Sequence, residues 1–149
     1  MDIDDIETIG RALSVRIFLA TVNNDGEPHV VPVHPAWEGS TIWVMTGTTA
    51  VKARNIAHNS KVALHWEASD AGDGLLVWGD ASIHSDIETK TRLWHGVFDY
   101  DLNAFAPNGP TSPEVVFLAI RPARAVHAIA YGAGGVQRWT RSDVIAKTD

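Results

Sequence analysis

The residues best suited to chemistry in this chain cluster between Thr46 and Arg54, where Thr46, Thr48 and Thr49 supply hydroxyls and Lys52 and Arg54 supply cations. Such a set at the start of a helix could seat a phosphate, because a helix N-terminus presents unpaired N–H groups and a partial positive charge. The surrounding residues predict that helix. Ile42 to Met45 is β-branched and aromatic enough for a strand, and Gly47 breaks it. Thr48 or Thr49 can then cap a helix with Ala53, Ile56 and Ala57 on its apolar side and Asn59 at its C′ position. Spacing alone also suits a plain surface helix. Single helix cations are usually solvated, and residues two apart, like Lys52 and Arg54, point to different sides.

Other chemistries lack their patterns. His29 and His34 differ by an odd number and face opposite ways on a regular strand, and no two of the seven His stand at the four-residue spacing of a zinc helix, so no protein metal site is expected. There is no Gly-x-Ser-x-Gly elbow and no phosphate-binding P-loop. The absence of Cys removes disulfides, thiolate metal sites and thiol catalysis together. The net charge is −6 and the Lys and Arg residues are scattered, which makes nucleic acid a poor partner. The 149 residues, 45% hydrophobic, suit one globular domain over 1–149. The acidic N-terminus Met1-Asp2-Ile3-Asp4-Asp5 is unlike a signal peptide, and no apolar run approaches ~20 residues, so a cytoplasmic protein without a membrane segment is expected.

The elements that must position the Thr46 to Arg54 stretch are readable in order. Ile3, Ile6, Ile9 and Leu13 predict an amphipathic helix with Asp2, Asp4 and Asp5 at its start. Arg16 to Val22 is a strand, Asn23-Asn24-Asp25-Gly26 a hairpin turn, and His29 onward the return strand. Pro32 and Pro35 cannot donate to a ladder, so that return strand belongs at an edge, at a bulge or along a surface against something other than a neighbouring strand. Lys61 to Glu67 alternates with Val62, Leu64 and Trp66 on one side, and Leu75 to His84 gives another strand in which Gly79 permits a bend or close approach. Ser85-x-x-Glu88 reads as a capping box before a helix with Ile87, Thr91, Trp94 and Phe98 on one face. Tyr100 to Glu114, with three prolines and no periodicity, reads as an ordered loop bordering a site or a partner. Val115 to Ile120 is a strong strand, extending past Pro122 to Tyr131. The pattern is mainly β, a small antiparallel barrel with inserted helices.

Three stretches, "ATVNNDGEPHVVPV", "WVMTGTTAVKARNIAHNSKVALHW" and "GDASIHSD", resemble the pyridoxamine 5′-phosphate oxidase-like split β-barrel family, in particular its general-stress-protein and deazaflavin-reductase branches. The resemblance covers about Arg11 to Arg141. It implies an FMN-binding split β-barrel, a homodimer with two cofactor sites at the interface, and a flavin-dependent oxidoreductase acting on a small molecule. It places Thr46, Ala50, Val51 and Lys52 at the family's phosphate and ribityl positions and the backbone of Val31, Pro32, Val33 and His34 beside the flavin ring. Thr48, Thr49, Arg54, Trp94 and Trp139 complete the candidate cofactor-binding set. Departures from the oxidase proper are Val31 and Ala36 where it has Arg and Lys, Gly74 where it has a Gln near the ring, and Trp139-Thr140-Arg141-Ser142 in place of its Arg-x-His substrate motif. Activity on pyridoxine phosphate itself is therefore not expected. The alternative cofactor is the deazaflavin coenzyme F-420, and the alternative of another class is a flavin- or haem-binding protein without turnover. No side chain stands out as a general acid, His34 being the nearest candidate.

Overall fold

In the computed structural model, which describes residues 1–146, the first helix, α1 (Ile3–Leu13), begins with a reciprocal cap. The Asp2 carboxylate accepts from Asp5 N at 3.0 Å and the Asp5 carboxylate accepts from Asp2 N at 2.7 Å. Ile6 is fully buried, and Ile3, Ile9 and Leu13 pack against the same core. Gly10 is where the helix lies closest to the sheet: a Cβ there would stand 2.8 Å from Trp66 Nε1.

The strands follow as β1 (Ile17–Val22), β2 (Pro28–Val33), β3 (Ala36–Glu38) and β4 (Thr41–Gly47), then α2 (Val51–His58), β5 (Lys61–Trp66), β6 (Gly74–His84), α3 (Ile87–Trp94), β7 (Val115–Ala128), β8 (Val136–Thr140) and the short α4 (Ser142–Ile145). They form a curled antiparallel half-barrel sheet in the order β2-β1-β5-β6-β7-β4-β3, with β8 paired to the later part of β7. The chain is thus mainly β with inserted helices, as the sequence predicts. β2 lies at one edge, where Pro28 and Pro32 cost the ladder least. β7 accommodates Pro122 by a bulge: Trp78 pairs with Arg124 and Gly79 with Pro122, leaving Ala123 over. Gly79 is required there, since a Cβ would sit 2.8 Å from the Arg121 carbonyl oxygen.

Two apolar clusters result. The larger, inside the curl, contains Ile6, Leu19, Leu64, Trp66, Val77 and Ile120. The smaller joins β4 and β7 to α3 and the segment after it, through Trp43, Leu93, Trp94, Leu102 and Phe117. Trp37, Trp43, Trp66 and Trp94 are buried, so most of the tryptophans serve the core.

Several local expectations are corrected. Neither Thr48 nor Thr49 caps α2: the N-cap is Ala50, without a side-chain bond, because the Thr48 hydroxyl donates instead to Pro113 O at 2.8 Å. Asn59 ends the helix with φ −142°, an extended rather than left-handed cap. Ala57 is exposed, and the buried face is Ala53, Asn55 and Ile56. At α3 the cap is Asp86, accepting from Thr89 N at 2.9 Å, one residue later than the Ser85 box. Its buried face is Lys90, Leu93 and Trp94, while Ile87 and Thr91 are exposed and Phe98 lies beyond the helix. Tyr131 is not in the last long strand but in a tight turn at φ 56°, largely exposed.

Candidate functional site

The end of β4 and the start of α2 form one wall of the cleft that matters most. Their relative placement is fixed by Asn55, whose buried amide donates to Thr21 Oγ1 at 3.0 Å and Asn23 Oδ1 at 2.8 Å. A buried polar group with both donors satisfied holds its surroundings in register, and here it ties α2 to the β1–β2 hairpin. The opposite wall is the loop after α3. Leu102 is buried beneath it, and Phe105, Ala106, Pro107 and Asn108 face β4 across the opening.

The cleft has a volume of about 410 Å³ and takes Met45, Thr46, Gly47 and Lys52 from the first wall. Lys52 is half-buried and has no hydrogen bond or ion pair among the described residues. Burial accordingly lowers its pKa from the ordinary lysine value, because a charged ammonium loses hydration without gaining a partner. Beside it the first turn of α2 has neither a side-chain cap nor an acidic residue. A helix start left without acceptors, next to an unpaired ammonium, is matched by an anion with several acceptor oxygens. Glu114 also borders the cleft, but it is exposed and solvent screens it.

A second cavity of about 220 Å³ shares Met45 and Phe105 with the cleft and is lined also by His34 and Tyr100. His34 Nε2 lies 2.7 Å from Asp99 Oδ1, off the axis of an aligned hydrogen bond, which leaves that buried nitrogen unsatisfied. The His34 and Tyr100 rings are 4.5 Å apart, and Phe105 stands edge-on to Tyr100 at 5.5 Å. Burial, with the charge of Asp99 adding, pushes the Tyr100 hydroxyl above its ordinary pKa, so it remains a neutral phenol at neutral pH. Phe105 is 74% exposed, an aromatic face free to meet a planar ligand.

The structure therefore brings Thr46 and Lys52 into the cleft and His34 into the neighbouring cavity that shares Met45 and Phe105 with it. Thr48 and Thr49 line an adjoining depression with Gly47, Pro113 and Glu114. Ala50 and Val51 stand at the helix start, and Arg54 projects into solvent away from the cleft lining. On the edge strand, Val33 is buried in the main core, Val31 packs against it and Pro32 is exposed. Trp94 lies in the smaller core against Phe117, and Trp139 on β8 packs against the larger core; neither lines the cleft within one chain. Met45, Tyr100, Phe105 and Ser112 are lining residues that the sequence did not single out. Phe105 had a signal, as a bulky aromatic amid the polar and proline residues of a loop.

Comparison with known proteins agrees with this fold. A family model described as pyridoxamine 5′-phosphate oxidase matches residues 12–127, a span that contains β1 to β6 and nearly all of β7. Among curated proteins none matches. A solved structure from Clostridium acetobutylicum, a protein related to general stress protein 26 of B. subtilis, superposes with a TM-score of 0.77 at 16% identity, covering 97% of this chain and 99% of that one. A pyridoxamine 5′-phosphate oxidase-related, FMN-binding protein from Nostoc punctiforme gives a TM-score of 0.70 at 20% identity, covering 95% and 89%. An F-420 reductase gives 0.56 at 28% identity, covering 74% and 88%. The half-barrel order, the helix between β4 and β5 and the matched span agree on one conclusion: the chain belongs to the pyridoxamine 5′-phosphate oxidase-like family.

Proposed function

We propose that the cleft holds FMN, its phosphate on Lys52, Thr46 and the open first turn of α2, and its ring toward Met45, His34, Tyr100 and Phe105. Bound there, the flavin would supply electron or hydride transfer, making the protein a flavin-dependent oxidoreductase for a small molecule. The chain's own part is to seat the anion, to exclude water with the apolar wall of Met45 and Phe105, and to leave Tyr100 as a neutral donor. The observation that carries this reading is Lys52: a half-buried ammonium without a partner, facing the cleft. The FMN-binding relative supports the choice of cofactor.

Coenzyme F-420 is the second reading, favoured by the reductase relative and by the depression at Thr48 and Thr49, which extends the cleft beyond Lys52. Among the described residues that depression is lined by Glu114 and by no Lys or Arg, which gives a longer anionic tail no cation to meet. FMN is the better match. Pyridoxine phosphate as substrate is disfavoured, because Val31 and buried Ala36 add no charge.

A homodimer is part of the same proposal. Phe18, Val30, Pro32, Leu76 and Trp78 share the outward face of β2, β1, β5 and β6 through the pairs Phe18 with Pro32, Ala20 with Val30 and Ala63 with Trp78. Phe18 and Val30 are 43% and 59% exposed, the mark of a sheet face that another surface covers. Mass spectrometry of the small molecules released from gently purified protein tests the cofactor. FMN alone is the expected result; haem, or a deazaflavin, would replace this reading with one of the alternatives.

A further inference from the structure

Lys90 is buried to 3% exposure on α3 and has no carboxylate partner among the described residues. Its Nζ donates to Ser112 O at 2.8 Å and to Val115 O at 3.0 Å. The two carbonyls between are held from the other side, Pro113 O by the Thr48 hydroxyl at 2.8 Å and Glu114 O by Thr48 N at 2.9 Å. Four consecutive carbonyls are thus pinned by two residues. Ser112 and Glu114 belong to the cleft wall facing Lys52, and Val115 closes it. A buried lysine that spends its donors on two loop carbonyls is costly as mere packing, since an apolar side chain would fill the space without desolvating an amine.

We infer that Lys90 is a positioning residue for the anion end of the cleft: together with Thr48 it clamps residues 112–115 so that this wall stands at the width a phosphate needs opposite Lys52. The clamp consists of the chain's own groups, while its purpose rests on the FMN reading. It accounts for Thr48, whose hydroxyl is spent on the loop and not on the helix.

Amide hydrogen exchange on ligand-free protein and paired titrations with FMN and riboflavin, which lacks the phosphate, test it. In Lys90→Met, exchange of amides in residues 105–115 should accelerate about tenfold while Leu19, Leu64 and Val77 keep their protection. FMN affinity should fall about tenfold and riboflavin affinity should not change. Thr48→Val should move both readouts the same way by less, and it decides the matter if Lys90→Met does not fold. Unchanged loop exchange in the folded variants would overturn the clamp, and equal losses for FMN and riboflavin would reduce Lys90 to a structural role. Should the wild type bind no FMN, the cofactor reading fails and the exchange result alone decides the clamp.

Discussion

Replacing Lys52 by Ala should weaken FMN binding while leaving the barrel folded. A charge-assisted hydrogen bond contributes about 1.5–3 kcal/mol, which converts to roughly 10- to 150-fold in dissociation constant. Lys52 should fall well within this range, because it is half-buried and already desolvated: a phosphate meets it across little intervening water and does not have to strip its hydration anew. The same desolvation fixes two signs. Its pKa is lowered in the folded protein, so the unfolded chain binds more protons as pH approaches the ordinary lysine value, and the ligand-free protein gains stability as pH rises through that window. Lys52→Ala removes the penalty, so its ligand-free Tm should be no lower than wild type at neutral pH. FMN affinity should conversely decline on the alkaline side, beginning below the ordinary lysine pKa. Flavin fluorescence titrations of wild type and variant with FMN and riboflavin, from neutral to alkaline pH, measure the affinities, and thermal denaturation of the ligand-free proteins over the same range measures the stabilities. Equal FMN affinity in Lys52→Ala and wild type would return α2 to a solvated surface helix and remove the anion site from this cleft.

Arg54→Ala should change FMN affinity far less than Lys52→Ala in the same titration, because Arg54 lies outside the cleft lining. Gly79→Ala should destabilise by about 1–3 kcal/mol in chemical denaturation, since its Cβ would press on the Arg121 carbonyl and Ile120 Cγ2 at the bulge. Val30→Glu combined with Phe18→Glu should convert a dimeric species to 16.2 kDa monomers in sedimentation without loss of β signal in circular dichroism.

The elements were more legible than their ends. Alternation in Lys61 to Glu67 predicts a strand with one apolar side, and Pro32 predicts that β2 lies at an edge, because those signals come from the burial and ladder bonding that the fold itself imposes. Caps were misread where two residues compete for one role. Ser85 and Asp86 both suit a helix start, and only tertiary geometry selects Asp86. Thr48 reads as a cap until Pro113, distant in sequence, offers its carbonyl. The face of α3 was misplaced because Lys90 reads as a surface residue, whereas two loop carbonyls make its burial possible. The place of Lys52 at the start of a helix was legible from the strand and the glycine before it. The wall opposite it was legible only as the loop Tyr100 to Glu114 bordering a site or a partner, because which of its residues share a cleft with Met45 depends on how the loop lies against β4.

The Asn55 amide has a mechanical consequence. It joins the helix that opens the cleft at Lys52 to the hairpin whose far strand ends beside His34, so the two extremities belong to one rigid body. At about 3.3 Å per residue, β2 sets His34 roughly 20 Å from Pro28. A movement of α2 would therefore carry the β1–β2 hairpin with it, and so reach His34 at the end of that hairpin's second strand.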